Sequence, residues 1–328
     1  ETKYTFDVMI PDVNLNVDTL SSGVGAALSE KGAERNTANV AQALFTILSK
    51  NPTAHVTAGG EMKQSKHEWG TVGSGFIVTT AGHVITNAHV VKASLPVVQG
   101  FVEKRFGVKE GAAAWTALIA TFPELSSQGG NQKLKVTLLG AVLKAYAKTC
   151  LQRGKVSSTV KIKVIMHNPT QEPGKKEIEY PAKLLKAGDP IPGKDVAVLR
   201  IEGPTFPALL LGDDNRVQVG DQIYVVGYPG AAFSPTFLEK SSRLEATITT
   251  GIISSKKTAS GGWTLLQTDA AISGGNSGGP AFDKDGKVIG IATGSAKAKG
   301  NQGGRVEGIH FVVPSTVVRE FLNEAGSK

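Results

Sequence analysis

Apolar residues fall in short runs along most of the chain. From Gly70 the sequence reads GTVGSGFIVTTAGHVITNAHVV, which predicts a strand, a turn at Ala81-Gly82, a second strand and a short polar turn. From Val160 to Val313 the same texture returns. VKIKVIM, DVAVLRI, DQIYVVGYP, ATITTGIIS and KVIGIAT are separated by Gly, Pro and Asp turns at the short spacing expected of β-barrels. Two stretches break this pattern. In residues 1–67, Asn36 and Thr37 are placed to cap a helix whose Val40, Leu44, Ile47 and Leu48 share one face, and Pro52 should end it. In residues 92–159, GAAAWTALIATF is apolar, and Leu134, Leu138, Leu139, Val142, Leu143 and Tyr146 recur at helical spacing, so a mostly helical insertion is expected. TVVREFLNEAG after Pro314 predicts a terminal helix.

Composition adds little against this picture. The 328 residues are 40% hydrophobic and 20% charged, enough for one large or two ordinary domains. The 39 glycines lie mostly between Val/Ile runs and fit a turn-rich β protein. The formal charge is +8, but the lysines are scattered and no aromatic-interleaved basic stripe appears, so no nucleic-acid partner is expected. Cys150 is the only cysteine, which excludes an intrachain disulfide. The sequence opens on Glu1 rather than Met, as expected of a processed or trimmed N-terminus. No apolar run reaches the roughly 20 residues that span a bilayer.

The sharpest chemical signal is TDAAISGGNSGGPAF, residues 268–282. A serine hydroxyl needs an adjacent base and backbone N–H donors aimed at a developing oxyanion. The small residues around Ser277 allow such a bend, and Gly275 and Ser277 are the natural donors. Three other readings compete. A glycine-rich surface turn leaves the centred serine before a proline unexplained. A phosphate-cradling loop normally carries a lysine and opens a helix. Gly275-Asn276-Ser277-Gly278-Gly279 also matches the nucleophile elbow of α/β-hydrolases, with Asp285 and His310 following in the required order, but Pro280 opposes the helix that elbow needs. ITNAHVV supplies a candidate base, His89, at a strand end. KDVAVLRI supplies Asp195, an acid opening an apolar strand and suited to orienting that base. Asp189, Asp213, Asp214 and Asp221 sit in evident turns.

The order His, Asp, Ser is that of chymotrypsin-type double barrels. GSGFIVTTAGHVITNAHVV, DVAVLRI, VGDQIYVVGYPG, TTGIISS, QTDAAISGGNSGGPAFDKDGKVIGIATG and GIHFVVPS together resemble the successive blocks of the HtrA/Deg branch of trypsin-like peptidases, from about Trp69 to Phe321 apart from 92–159. The resemblance implies a mainly β fold with two antiparallel six-stranded β-barrels, a helical insertion, an N-terminal extension and a C-terminal helix. The expected divisions are 1–67, a first barrel in 68–203, a second in 204–313, and a helix in 314–328. It also implies a serine endopeptidase acting on polypeptides without a cofactor or metal, with His89 as base, Asp195 as its orienter, Ser277 as nucleophile, and Gly275 and Ser277 as oxyanion donors. A catalytically silent binding protein on the same fold and an esterase are the alternatives.

The resemblance further places Ala271 at the base of the S1 pocket, Thr293-Gly294-Ser295 on the strand that pairs with substrate, and Gly308-Ile309-His310 on the opposite wall. An apolar base favours small or medium aliphatic P1 residues. His310, where the family commonly has a small residue, offers an acid-binding wall as the other reading. Three features depart from the family. His89 and Asp195 are 106 positions apart, mostly because of the insertion. The PDZ domain that usually follows is expected to be missing or removed, and 1–67 has no counterpart. An exported location is expected. The insertion is read as a packed extension of the domain, or as a lid or docking surface for a partner or an anionic membrane, with lysines at 133, 135, 144 and 148.

Overall fold

The computed structural model describes residues 1–93, 97, 100, 102, 108–126, 132–167, 177–229, 245–297 and 305–326; the remainder of the 92–159 insertion lies outside them. Contacts divide the chain into two compact units. One comprises Glu1–Tyr4, Trp69–Ala93 and Val160–Lys328, the other Thr5–Glu68 and Ser94–Thr159.

The strands are β1 (Thr2–Leu15), β2 (Val56–Thr71), β3 (Phe76–Ile77), β4 (His83–Thr86), β5 (Lys155–His167), β6 (Glu177–Ala187), β7 (Ala197–Ile201), β8 (Gln222–Gly227), β9 (Thr247–Thr258), β10 (Thr264–Thr268), β11 (Pro280–Phe282), β12 (Val288–Lys297) and β13 (Arg305–Pro314). The helices are α1 (Val17–Glu30), α2 (Thr37–Lys50), α3 (Ala88–Val91), α4 (Val108–Thr121), α5 (Gln132–Arg153) and α6 (Ser315–Glu324).

In the first unit, β10-β13-β12-β11-β8-β9 close into the expected six-stranded antiparallel barrel. Its interior follows from period-2 patterning: QIYVVG buries Ile223 and Val225, which join Ile253, Leu266, Ala281 and Val312. The other sheet has the order β2-β1-β5-β6-β7-β4-β3. It departs from the expected six-stranded first barrel: it has seven strands, and two of them, β1 and β2, come from residues 2–71 rather than from the strand runs read in the sequence. β1, β2 and β5 each contribute residues to both units. β7 explains why DVAVLRI is continuously apolar. Val198 packs into the cluster with Ile85, Ile291 and Phe321, whereas Leu199 packs on the opposite side with Val84, Ile162 and Phe206.

The second unit is mainly helical. Asn16 caps α1 by accepting from Thr19 N at 3.1 Å, and Asn36 caps α2 by accepting from Asn39 N at 3.0 Å. α2 buries Val40, Leu44 and Leu48 as the periodicity predicts, and it packs on α1 and α5. α5 buries Leu138, Val142, Ala145, Tyr146 and Cys150. Val136 of the same helix is 61% exposed, and Leu134, Leu139 and Leu143 are half-buried. Lys133, Lys144 and Lys148 remain exposed, while the Lys135 ammonium lies 5.4 Å from the Trp115 ring centroid. Gly154 makes the exit from α5 possible, since a Cβ there would lie 2.5 Å from Met9 O and 2.6 Å from Cys150 O. Residues 1–67 and 92–159, read separately in the sequence, thus supply one shared core.

Candidate active site

His89 lies not at the end of β4 but in the single turn of α3 just after it. Buried Ala88, Val90 and Val91 anchor that turn and leave the His89 side chain 37% exposed. Asp195 lies just before β7 and is 1% exposed. A buried carboxylate must be supplied with donors, and Asp195 has three. The His89 backbone N–H donates to Oδ1 at 2.9 Å, His89 Nδ1 lies 2.7 Å from Oδ2, and Thr293 Oγ1 donates to Oδ2 at 2.7 Å. Asn87 Nδ2 also donates to the Asp195 carbonyl at 2.7 Å, fixing the main chain beneath the carboxylate.

Ser277 occupies the loop between β10 and β11. Its carbonyl accepts from Ser74 N at 2.8 Å. A Cβ on Gly73 would lie 2.6 Å from Val90 and 2.9 Å from Ser277 O, so the serine loop sits directly against the segment that carries His89. Gly278, at φ +90°, leaves no room for a side chain: a Cβ would fall 2.2 Å from Ser74 O. No hydrogen bond joins His89 to Ser277 Oγ among the described residues. Such contacts commonly tighten only when substrate arrives. Three successive loop carbonyls are engaged: Gly275 O by Ser74 Oγ at 2.6 Å, Asn276 O by Gly279 N at 2.9 Å, and Ser277 O as above. The N–H groups of Gly275 and Ser277 have no acceptor among the described residues. Gly275 has φ +96°, a turn that glycine alone adopts without strain.

The structure separates the remaining sequence candidates. Ala271 is exposed, and its carbonyl accepts from Thr249 Oγ1 at 2.9 Å. His310 pairs in register with Thr268 of β10 and with Ser295 of β12, so β10, β12 and β13 converge there. Ile309 is half-buried, and Gly308 and Gly294 are exposed. Thr293, on the strand expected to pair with substrate, turns its hydroxyl to Asp195 and is 1% exposed. Ser277 leads into β11 rather than a helix, and Asp285 is an exposed residue of the β11–β12 turn; the elbow geometry is therefore not present. Among the described residues, no three His, Cys, Asp or Glu side chains are arranged to hold a metal. Sequence reasoning missed Ser74, Thr86 and Asn87, whose roles depend on contacts between segments far apart in the chain.

The sequence profile described as "Trypsin-like peptidase domain" matches residues 73–291. A "Probable periplasmic serine endoprotease DegP-like" of Brucella suis is 38% identical over 151 residues, 44% of this chain and 26% of that protein. A protein of the same description from Chlamydia pneumoniae is 33% identical over 173 residues, 52% of this chain and 30% of that one. "Magnetosome formation protease MamE" of Paramagnetospirillum magneticum is 38% identical over 154 residues, 45% of this chain and 18% of its own length. This chain therefore spans about a quarter of the length of the first curated relatives it matches. The solved structure titled "HtrA-type protease AlgW with decapeptide" aligns over 82% of this chain and 55% of its own, with TM-score 0.43 and 22% identity. No helix among the described residues is long and apolar enough to cross a membrane. With the profile running from Gly73, the glycine beside Ser277 O, into the start of β12, this chain belongs to the trypsin-like peptidase family.

Proposed function

We propose that this chain is an HtrA-type serine endopeptidase in which Ser277 attacks the scissile carbonyl. His89 Nε2 takes the Ser277 proton as the C–O bond forms, and the oxyanion is received by the N–H groups of Gly275 and Ser277. The C–N bond then breaks, His89 protonates the leaving amine, and water hydrolyses the acyl-enzyme with His89 again as base. Asp195 holds Nδ1 protonated, so that Nε2 is the basic nitrogen. The observation that carries this reading is the buried Asp195 carboxylate bonded to both the backbone and ring of His89, with the Ser277 loop seated against the same turn.

The substrates are polypeptides in extended form, bound along β12 at Thr293-Gly294-Ser295. Ala271 at the pocket base, with Gly308, Ile309 and His310 opposite, favours small or medium aliphatic P1 residues through apolar burial, at about 25 cal/mol per Å². The periplasmic names of the relatives support an exported protein. Peptide-library cleavage with Ser277→Ala as control tests the reading: cleavage after Ala, Val or Leu that vanishes in the variant is expected. Efficient cleavage after Arg, or turnover that survives Ser277→Ala, overturns it. Cleavage after Glu that is lost in His310→Ala would assign His310 as an acid-binding wall instead.

A further inference from the structure

Ser74 lies in the strand-entry segment before β3, 201 positions from Gly275 in the sequence, and is 4% exposed. A serine hydroxyl has one proton to donate and two lone pairs to accept with. Here Tyr228 N donates to Ser74 Oγ at 2.9 Å, which occupies a lone pair, and the proton is directed to Gly275 O at 2.6 Å. The Ser74 backbone adds Ser74 N to Ser277 O at 2.8 Å, and its carbonyl is held by Thr86 Oγ1 at 2.7 Å. One residue therefore grips the carbonyls of both Gly275 and Ser277, the two residues whose N–H groups are the proposed oxyanion donors.

We infer that Ser74 is a positioning residue, whose hydroxyl fixes the Gly275 peptide and thereby aims the oxyanion donors. This rests on the serine-peptidase reading above. A glycine at φ +96° is free to rotate, because its alternative conformations meet no Cβ penalty. The fixed hydroxyl removes that freedom. Without it the 275–276 peptide keeps only the 3.2 Å bond from Asn276 N to Ser273 O, and Tyr228 N loses its acceptor as well. Oxyanion stabilisation acts in the transition state and not on ground-state binding, so the loss should appear in kcat rather than in KM.

The test compares wild type, Ser74→Ala and Ser74→Cys, the last keeping the shape and a weak donor. Peptide anilide hydrolysis gives kcat and KM, and two probes of matched sequence are bound: a peptide boronic acid, which forms a tetrahedral adduct with Ser277, and the product peptide acid. In Ser74→Ala, kcat should fall about tenfold to a hundredfold. KM and product-peptide affinity should stay within about twofold. Boronate affinity should fall in step with kcat, and Ser74→Cys should lie between. An unchanged kcat, or equal losses of kcat and product binding, overturns the inference. If the alanine variant does not fold, the same criteria applied to Ser74→Cys decide it. Wild-type chain with no Ser277-dependent turnover overturns the serine-peptidase reading instead.

Discussion

Replacing Asp195 by Asn keeps the number of heavy atoms and reverses the two hydrogen bonds made at the Oδ2 position. The side chain is 1% exposed, so no water compensates. Its orientation is dictated by the His89 backbone N–H, a donor that cannot turn, which must keep meeting an oxygen at the Oδ1 position, now 2.9 Å away. The new NH2 group is thus forced to the Oδ2 position, 2.7 Å from His89 Nδ1 and 2.7 Å from Thr293 Oγ1. The threonine hydroxyl can rotate and accept, but the imidazole must become an acceptor at Nδ1. Its proton then sits on Nε2, where Ser277 needs a base. The tautomer is wrong by one full proton, and kcat should fall about 10⁴-fold, equivalent to roughly 5 kcal/mol of barrier. Stopped-flow acylation with an activated ester and steady-state peptide hydrolysis measure this, with thermal unfolding as the control for folding. Activity within tenfold of wild type would refute the assignment of Asp195 as orienter.

Thr293→Val removes one of three donors to Asp195 at nearly constant volume and should lower kcat about tenfold, read by peptide hydrolysis. Gly278→Ala forces a Cβ to within 2.2 Å of Ser74 O and 2.3 Å of Thr86 Oγ1 at φ +90°, so it should cost about 3 kcal/mol in urea unfolding and abolish turnover. Asp214 accepts from Ser315 Oγ, Thr316 N and Thr316 Oγ1 at the start of α6; Asp214→Ala should cost about 2–3 kcal/mol in unfolding while leaving kcat per folded molecule unchanged. His55 is held below its ordinary value near 6.5 because burial disfavours the imidazolium. The unfolded chain therefore takes up more protons than the folded one near that pH, and stability is lost as pH falls through about 6.5. Amide exchange in α1 and α2, corrected for intrinsic rates, should quicken below that pH in wild type and not in His55→Gln.

What could be read from the sequence was set by whether the signal was local. The strand runs of the C-terminal barrel were legible because each is a short apolar run between Gly, Pro or Asp turns, with alternating wet and dry faces in QIYVVG and burial throughout in VIGIAT. α2 was legible because Asn36 caps a regular apolar stripe. β1 carries its own period-2 signal, with Thr2, Tyr4, Phe6, Val8 and Ile10 buried, but no matching partner strand stands near it in the sequence. β2 gave no such signal: MKQSKHEW is almost wholly polar, and its residues are mostly exposed. At the candidate site, His89, Asp195 and Ser277 stand out by motif and order. Thr293 and Ser74 do not. A threonine on a strand and a serine between two glycines acquire meaning only when the fold brings a carboxylate or a loop carbonyl to them.

The division of the helical unit between Thr5–Glu68 and Ser94–Thr159 has a consequence for synthesis. The chain leaves the ribosome with α2 finished at Lys50, whereas α5, which covers it, begins only at Gln132. At about 5–20 residues per second, the stripe of Val40, Leu44 and Leu48 waits roughly 4–16 s for its partner. During that interval the nascent chain exposes an apolar helix face while the segment bearing His89 is being made. A trigger-type holdase binding that stripe would raise the yield of folded protein. A chain truncated to begin after Glu68 would instead strand the other half, leaving Leu138, Val142 and Tyr146 without cover, and should aggregate even though every residue of the proposed triad is present.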